Sequence, residues 1–116
     1  MKKEFLAMAL MNIAAANTEG FTVQASTLEP VTSGFAVALA DTQNSFGEEG
    51  LNKVIEFVVA HENVNAFGGW LNTDNNEFYF DATVICSSKE EAEALARAND
   101  QIAYFDLNNM EEVRIK

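Results

Sequence analysis

The alternation of apolar and polar residues predicts short strands separated by helices. The clearest alternation runs from Glu77 to Cys86. A period of two is typical of a half-buried strand. One face of this strand, predicted to face the core, carries Phe78, Phe80, Ala82, Val84 and Cys86, and the other carries Tyr79, Asp81, Thr83 and Ile85.

Other stretches complete the predicted sheet. A continuous apolar run, 35–40, predicts a central strand buried on both faces. Further strands are predicted at 21–24, 64–71, 102–107 and 112–115, the last two as a terminal hairpin. Pro30 ends the first of these, and an extended arm leads from it to Gly34. Gly68 and Gly69 predict a bulge or a close backbone approach.

Three segments have helical spacing. The strongest carries the stripe Leu51, Val54, Ile55, Val58 and Val59, and another carries Ala92, Leu95, Ala96 and Asn99. A third, 3–16, has high helix propensity. Its predicted packing positions are Phe5, Met8 or Ala9, Asn12 and Ile13. Ser45 with Glu48, and Ser88 with Glu91, have the spacing of capping boxes that start the second and third helices.

The order of these elements predicts an α+β fold. Without the N-terminal helix it is β-α-β-β-α-β, the ferredoxin-like arrangement of an antiparallel sheet covered by two helices, here with an extra N-terminal helix and a C-terminal β-hairpin. A chain of 116 residues is about one average domain. We therefore expect a single domain over 1–116, with the N-terminal helix in 1–19 and the core in 20–116.

The charge of the chain is strongly negative. Eighteen acidic against seven basic residues give a net charge of -11, which repels nucleic acid and anionic membranes. The charge has two interpretations: it keeps the protein dispersed, or it suits a partner protein with a basic surface. Helix-start glutamates complement the helix dipole, whereas other acids have no local structural cause: Asp41, Glu77, Asp81, Glu111 and Glu112.

The expected location is the cytoplasm. Cys86 is the single cysteine and cannot form an internal disulfide. The basic start Met1-Lys2-Lys3 and the apolar run after it resemble a signal peptide, but Glu4 and Asn12 interrupt that pattern. No stretch of the sequence has the roughly 18 apolar residues of a membrane span.

The residues that could carry chemistry have simpler structural interpretations. His61 falls in the last turn of a helix, where a positive charge is favourable, and Cys86 lies in phase with an apolar face. Asn72, Asp74 and Asn76 partly match a calcium loop, but the motif's glycine and final glutamate are missing, so a turn is predicted. We predict no catalytic residue, metal or cofactor.

One segment is more polar than its position requires. Thr42, Gln43, Asn44 and Ser45 lie between the central strand and a helix start, where side chains and free helix amides could hold an anion or a polar ligand. Turn and cap chemistry is the alternative. If the segment binds a ligand, the companions expected on the neighbouring hairpin are Trp70, Asn72 and Tyr79.

Three segments resemble parts of small uncharacterised proteins carried by gut bacteria, their phages and mobile elements. They are 42–51, 67–71 and 99–107. The resemblance implies an accessory protein of a mobile element, a setting in which small acidic proteins block host enzymes. It implies no catalytic residues.

Two functions are therefore expected. The first is a non-enzymatic acidic protein that binds another macromolecule, for example a nucleic-acid-handling host enzyme that it inhibits. The second is a small-molecule or anion-binding domain that uses the 42–47 turn. A homo-oligomer is compatible with both.

Overall fold

The computed structural model describes residues 2–116; Met1, the first residue of the predicted basic start, lies outside them. Residues 2–116 form three α-helices and seven β-strands. In chain order these are α1 Lys3–Ala16, β1 Phe21–Gln24, β2 Phe35–Ala38, β3 Ser45–Phe46, α2 Gly47–Ala60, β4 Ala66–Asn72, β5 Glu77–Cys86, α3 Lys89–Ala98, β6 Ala103–Asp106 and β7 Glu111–Arg114. None of these helices combines the length and apolarity needed to cross a bilayer.

All seven strands join one antiparallel sheet. Its order is β1-β4-β5-β2-β6-β7, and the two-residue β3 pairs with β5 outside this path. The mixed α+β class and the antiparallel sheet are thus confirmed. The strand order differs from the four-stranded arrangement predicted, because β1 extends one edge, β7 extends the other and β3 is added beside β5.

The two faces of the sheet are distinct, and we call them the helix face and the open face. The helix face carries the larger apolar residues and packs under the helices. The alternation of β5 is confirmed, because Phe80, Ala82 and Cys86 are buried on this face. Opposite residues of paired strands share a face, so the register places the alternate set, which includes Asp81, on the open face.

Helix α2 contributes most of the predicted stripe to the core. Leu51, Val54, Ile55 and Val58 are buried. Val59, by contrast, is 58% exposed, so its predicted core position is wrong. Eight residues after Leu51, a side chain is turned about 80° from Leu51 around the helix axis, which places Val59 at the margin of the stripe.

Helix α1 has the predicted extent but packs through a different face. Leu6, Leu10 and Ala14 are buried, whereas Phe5 and Met8 are 61% and 63% exposed. These predicted packing positions are therefore wrong, as is Asn12, which is exposed. The prediction for Ile13 is confirmed, because it is partly buried and packs against the core. The segment is rich in alanine and methionine on every side, so its spacing offers two faces and contacts with the core select one of them.

The two S-x-x-E segments have different outcomes. Ser88 Oγ accepts a hydrogen bond from the Glu91 amide at 3.2 Å, so the predicted cap of α3 is confirmed. The predicted cap at Ser45 is wrong: α2 follows Phe46, without a side-chain cap, and Ser45 lies in β3 opposite Phe80. Pairing with the sheet takes Ser45 out of the position that a cap requires.

The paired glycines of β4 form no bulge, since the register with β5 is unbroken from Ala66 to Asn72. Gly69 instead allows a close approach on the helix face. A Cβ added there would lie 2.5 Å from Phe21 Cε1 and 2.7 Å from Phe78 Cε1. The rings of Phe21 and Phe78 stack with centroids 5.9 Å apart, which places them over the missing side chain.

Candidate ligand cavity on the open face

The open face has a floor of small residues. Ala36 and Ala38 come from β2, Gly68 from β4 and Thr83 from β5. Small side chains stand only a short distance above a sheet. Within residues 2–116 the helices pack on the opposite face, and Ile13 is the one helix residue that lines the space above the floor.

The arm encloses one side of this space. We define the arm as residues 29–34, which follow β1. The Val31 amide donates to the Thr22 carbonyl at 3.0 Å, and Pro30 forms an isolated bridge with Val23. The arm therefore runs along the outer edge of β1 before it enters β2, three strands away in the sheet.

The turn between β6 and β7 fastens the end of the arm. The Leu107 amide donates to the Gly34 carbonyl at 3.0 Å, and the Gly34 amide donates to Asn108 Oδ1 at 3.3 Å. Asp106 shapes this turn, because its carboxylate accepts from the amides of Asn108 and Asn109 and from Asn109 Nδ2. These bonds, that from Asn109 Nδ2 foremost, lower the pKa of Asp106.

Between the arm, the turn and the floor lies a cavity of about 910 Å³. Leu28, Pro30 and Val31 form one wall, and Phe105 and Met110 form another. This volume falls within the range of about 300–1,000 Å³ that is usual for small-molecule sites. Its lining is mostly apolar with a few polar groups, the composition typical of such sites.

The polar group at the floor of the cavity is the Asp81 carboxyl. Asp81 is half-buried, and Thr83 Oγ1 donates a hydrogen bond to Asp81 Oδ1. Burial raises the pKa of Asp81 to about 6, and the bond from Thr83 offsets only part of this rise. Among the described residues, those that line the cavity include the acids Glu19 and Asp81 and no Lys, Arg or His. The carboxylate thus has no positive charge beside it.

The absence of a side chain at Gly68 leaves space for the Asp81 carboxyl. The two residues are directly opposite in the β4–β5 register. A Cβ added to Gly68 would lie 2.6 Å from Asp81 Oδ1 and 2.9 Å from Thr83 Oγ1. Any larger residue at this position would displace the carboxyl.

Trp70 stands at the rim of the cavity. It is 48% exposed, and one side of its ring stacks on Tyr79 with centroids 5.1 Å apart. Phe46 lies beyond Tyr79, at 5.3 Å. Since Tyr79 covers one face of the indole, the opposite face is turned away from β5, toward the β1 side. A ligand in the cavity would meet that face.

The residues predicted as a site at the 42–47 turn do not converge. Thr42 and Ser45 are buried, whereas Gln43 and Asn44 are exposed. Thr42 Oγ1 accepts from the Ala82 amide at 2.9 Å, so it joins the turn to β5. A ligand-binding role for this turn stays a prediction, and none of these four residues lines the cavity.

The predicted companions are divided between two places. Of Trp70, Asn72 and Tyr79, Trp70 alone lines the cavity. Tyr79 supports it from behind, and its hydroxyl accepts from Asn75 Nδ2 at 2.9 Å. Asn72 Oδ1 accepts from the Asp74 amide at 2.9 Å, which fits the predicted turn. In residues 2–116 no three His, Cys, Asp or Glu side chains are grouped to hold a metal ion.

His61 and Cys86 lie apart from the cavity. His61 Nδ1 donates to the Phe57 carbonyl at 2.7 Å, and the two rings stack with centroids 4.0 Å apart. This geometry matches the helix-end role predicted for His61. Cys86 is buried on the helix face. Burial, together with the charge of Glu91, raises the pKa of its thiol, which disfavours the reactive thiolate.

Sequence reasoning placed Asp81 on the correct strand face but in no site. Its one signal was an acid without a local structural cause, on a strand whose neighbours are apolar. The roles of Thr83 and Gly68 follow from their contacts with Asp81, which the sequence does not show. The roles of Ala36 and Ala38 follow from their place on the floor of the cavity, which the sequence does not show either.

No protein-family model, no curated protein and no solved structure matches this chain. The resemblance to proteins of phages and mobile elements therefore stays an expectation, and the case for a function depends on the geometry of the cavity.

Proposed function

We propose that this protein is a non-enzymatic binding protein that holds a small, mostly apolar ligand in the open-face cavity. The observation that carries the proposal is a carboxyl group at the floor of a mostly apolar cavity with no basic residue in its lining. A charged group costs free energy when it is partly removed from water without a partner. Perturbed carboxyls in clefts therefore often mark functional sites.

The enclosure of the cavity supports the proposal. Leu28 and Met110, on opposite walls, both have left-handed backbone conformations, with φ of 63° and 53°. Such conformations are uncommon for bulky residues. Backbone hydrogen bonds hold the segments beside them: the Leu28 amide donates to the Gln24 carbonyl at 2.8 Å, and the Leu107 amide donates to the Gly34 carbonyl at 3.0 Å.

The neutral fluorescent probe N-phenylnaphthylamine tests this function. We expect it to bind the wild-type protein with enhanced emission. Ala38→Leu fills the floor of the cavity and should weaken binding by about tenfold or more. Ala94→Leu adds the same volume at an exposed position of α3 and should leave binding unchanged. Equal affinities for the wild type and Ala38→Leu would contradict the proposal.

Binding of a macromolecule, expected from the charge, remains a second proposal. Exposed acids lie on all three helices, on β7 and in the loops between elements, among them Glu4, Glu56, Glu93 and Glu112. Acids spread in this way favour the interpretation that the charge keeps copies of the protein apart, over the interpretation that one acidic face binds a partner. A pull-down at low salt that recovers a basic partner, and loses it at high salt, would favour this second function.

Two finer expectations accompany the proposal. We infer that β4, β5, β2 and β6, with α2 and α3, form a ferredoxin-like unit; the order of these six elements along the chain supports this inference. We also infer a cytoplasmic location, which the single, buried Cys86 supports.

A further inference from the structure

The charge of the cavity indicates which ligand it accepts. The groups that line it carry two carboxyls and, within the described part of the chain, no basic side chain. The whole protein, these two groups included, has a net charge of -11. An anionic ligand would meet repulsion from both sources, and a neutral ligand would leave the Asp81 carboxylate unpaired. A cation would neutralise it.

Asp81 and Trp70 lie close enough to hold one cation together. Gly68 is opposite Asp81, and Trp70 follows Gly68 by two residues on the same face. Trp70 and Asp81 are therefore diagonal neighbours on adjacent strands, about 7–8 Å apart between their Cα atoms. A cation is attracted to an indole within about 6 Å of the ring centroid. The Asp81 carboxyl reaches across Gly68, toward the β1 side that the uncovered face of the indole also meets, so one ammonium group there can touch the carboxylate and the ring at once.

The missing side chain at Gly68 lets the Asp81 carboxyl lean across β4, because a Cβ there would lie 2.6 Å from Asp81 Oδ1. The cation would lie beside this carboxyl, on the β1 side of β4. Gly68 lies between Asp81 and Trp70 on the open face, and all three line the cavity. Phe105, Leu28 and Val31 provide apolar contact for the remainder of the molecule. The volume of about 910 Å³ favours a small molecule over a protein segment.

We propose that the occupant is a small organic cation, an ammonium or guanidinium carried on an apolar or aromatic body, held between the Asp81 carboxylate and the Trp70 indole. This inference rests on the proposed function, because it requires the cavity to bind a ligand. Charged hydrogen bonds to a carboxylate are stronger than neutral ones, so the charge of the ligand should dominate its affinity.

Three probes of similar shape separate charge from shape. Phenethylamine is a cation at neutral pH, phenethyl alcohol is neutral and phenylacetate is an anion. Isothermal titration calorimetry on the wild type should give an affinity for the amine about tenfold or more above that for the alcohol. Phenylacetate should bind more weakly than the alcohol.

Matched variants test whether Asp81 and Trp70 cause the preference for the amine over the alcohol. Asp81→Asn should reduce the preference for the amine to about twofold or less. Glu77→Gln removes the same charge from the same face of β5, outside the cavity, and should preserve the preference. Trp70→Leu should weaken the amine several-fold more than the alcohol. Circular dichroism confirms that each variant is folded.

Each remaining outcome has a defined meaning. Equal affinity for amine and alcohol, lost in Ala38→Leu, would overturn the cation inference and leave the proposed function standing. A preference that survives Asp81→Asn would trace to the overall charge and overturn the inference, as would a preference unaffected by Trp70→Leu. If neither these probes nor N-phenylnaphthylamine bind, both proposals fail. A blocked lysine peptide that binds more tightly than phenethylamine would overturn the assignment to a small molecule.

Discussion

The helix face and the open face of the sheet are built from alternate residues of the same strands, yet they differ in the size of their side chains and in what covers them. The helix face carries large apolar residues such as Phe67 and Phe80, packed under the helices with almost no exposure. The open face carries Ala36, Ala38 and Gly68, with a carboxyl among them. One face is filled by side chains of the protein itself, and the other keeps space.

The difference shows that, in this small protein, one face of the sheet provides stability and the other provides the candidate binding site. Apolar area removed from water on the helix face supplies most of the stabilisation. The open face contributes less, so it can retain a group such as Asp81 that lowers stability at neutral pH. Stability and function often conflict in this way at binding sites.

The largest effect should come from emptying the helix face. Phe67, in β4, is 1% exposed, and Phe67→Ala removes a buried ring and leaves a cavity. We expect a loss of about 3–5 kcal/mol in the free energy of unfolding, measured by urea denaturation. Trp70→Ala, on the open face of the same strand, should cost less than about 1.5 kcal/mol, because the indole is half in water. Similar losses in the two variants would contradict the division between faces.

Substitutions at the two neighbouring glycines of β4 compare the packing of the two faces, because Gly69 lies on the helix face and Gly68 on the open face. Gly69→Ala places a methyl group against the rings of Phe21 and Phe78 on the helix face. Rings packed under a helix have little room to move, so we expect a loss of about 1–3 kcal/mol. Gly68→Ala displaces the Asp81 carboxyl into the cavity and should cost less. A larger loss from Gly68→Ala would indicate that the open face is packed as tightly as the helix face.

The two faces were predictable to different extents. The alternation of β5 assigned its residues to the correct faces, because pleating depends on position alone. The stripe of α2 was found by its period, except at Val59. The face of α1 could not be found, since alanine and methionine surround that helix and only contacts with Leu51 and its neighbours in the core select a side.

The candidate site was mostly hidden from the sequence. Its walls depend on contacts between residues far apart in the chain, such as Gly34 with Asn108. The residues of the floor are alanine, glycine and threonine, and these residue types give no signal of a binding site in a sequence. Polar residues at 42–45 drew the prediction instead, although Thr42 serves the backbone of β5 and Ser45 is buried in β3. Trp70 was the one predicted residue that lines the cavity.

The carboxyl on the open face should reduce stability in a pH-dependent way. The pKa of Asp81 is about 6 in the folded protein, above an unfolded value of about 3.9. The folded state therefore binds more protons between these values, and the contribution of Asp81 to stability falls as the pH rises through this window. Asp81→Asn should raise the free energy of unfolding by about 1–2 kcal/mol above pH 6 and change it little below about pH 4.

Chemical denaturation of the wild type and of Asp81→Asn across this pH range measures the difference directly. The comparison isolates Asp81, because other acids act alike in both proteins. Asp106 acts in the opposite direction: its lowered pKa gives stability that is present above its unfolded pKa and lost as the pH falls through its folded pKa. A difference between the two proteins that is constant with pH would show that Asp81 is not the group that titrates.

The smallest expected change in stability comes from removing a polar atom on the helix face. Polar groups on the open face bond to each other, as Thr83 does with Asp81. Ser45 Oγ is the one buried side-chain polar atom in residues 2–116 without a hydrogen-bond partner. A buried hydroxyl without a partner gives no bonding energy and costs desolvation. Ser45→Ala should therefore change the free energy of unfolding by less than about 0.5 kcal/mol or raise it slightly.

Ser88→Ala is the matched control, because both serines begin an S-x-x-E segment. Ser88 caps α3 through the Glu91 amide, so its loss should cost about 1 kcal/mol. Thermal denaturation of the two variants in one buffer ranks them. A clear destabilisation by Ser45→Ala would mean that its hydroxyl is bonded in solution, and the helix face would then share the satisfied polar contacts of the open face.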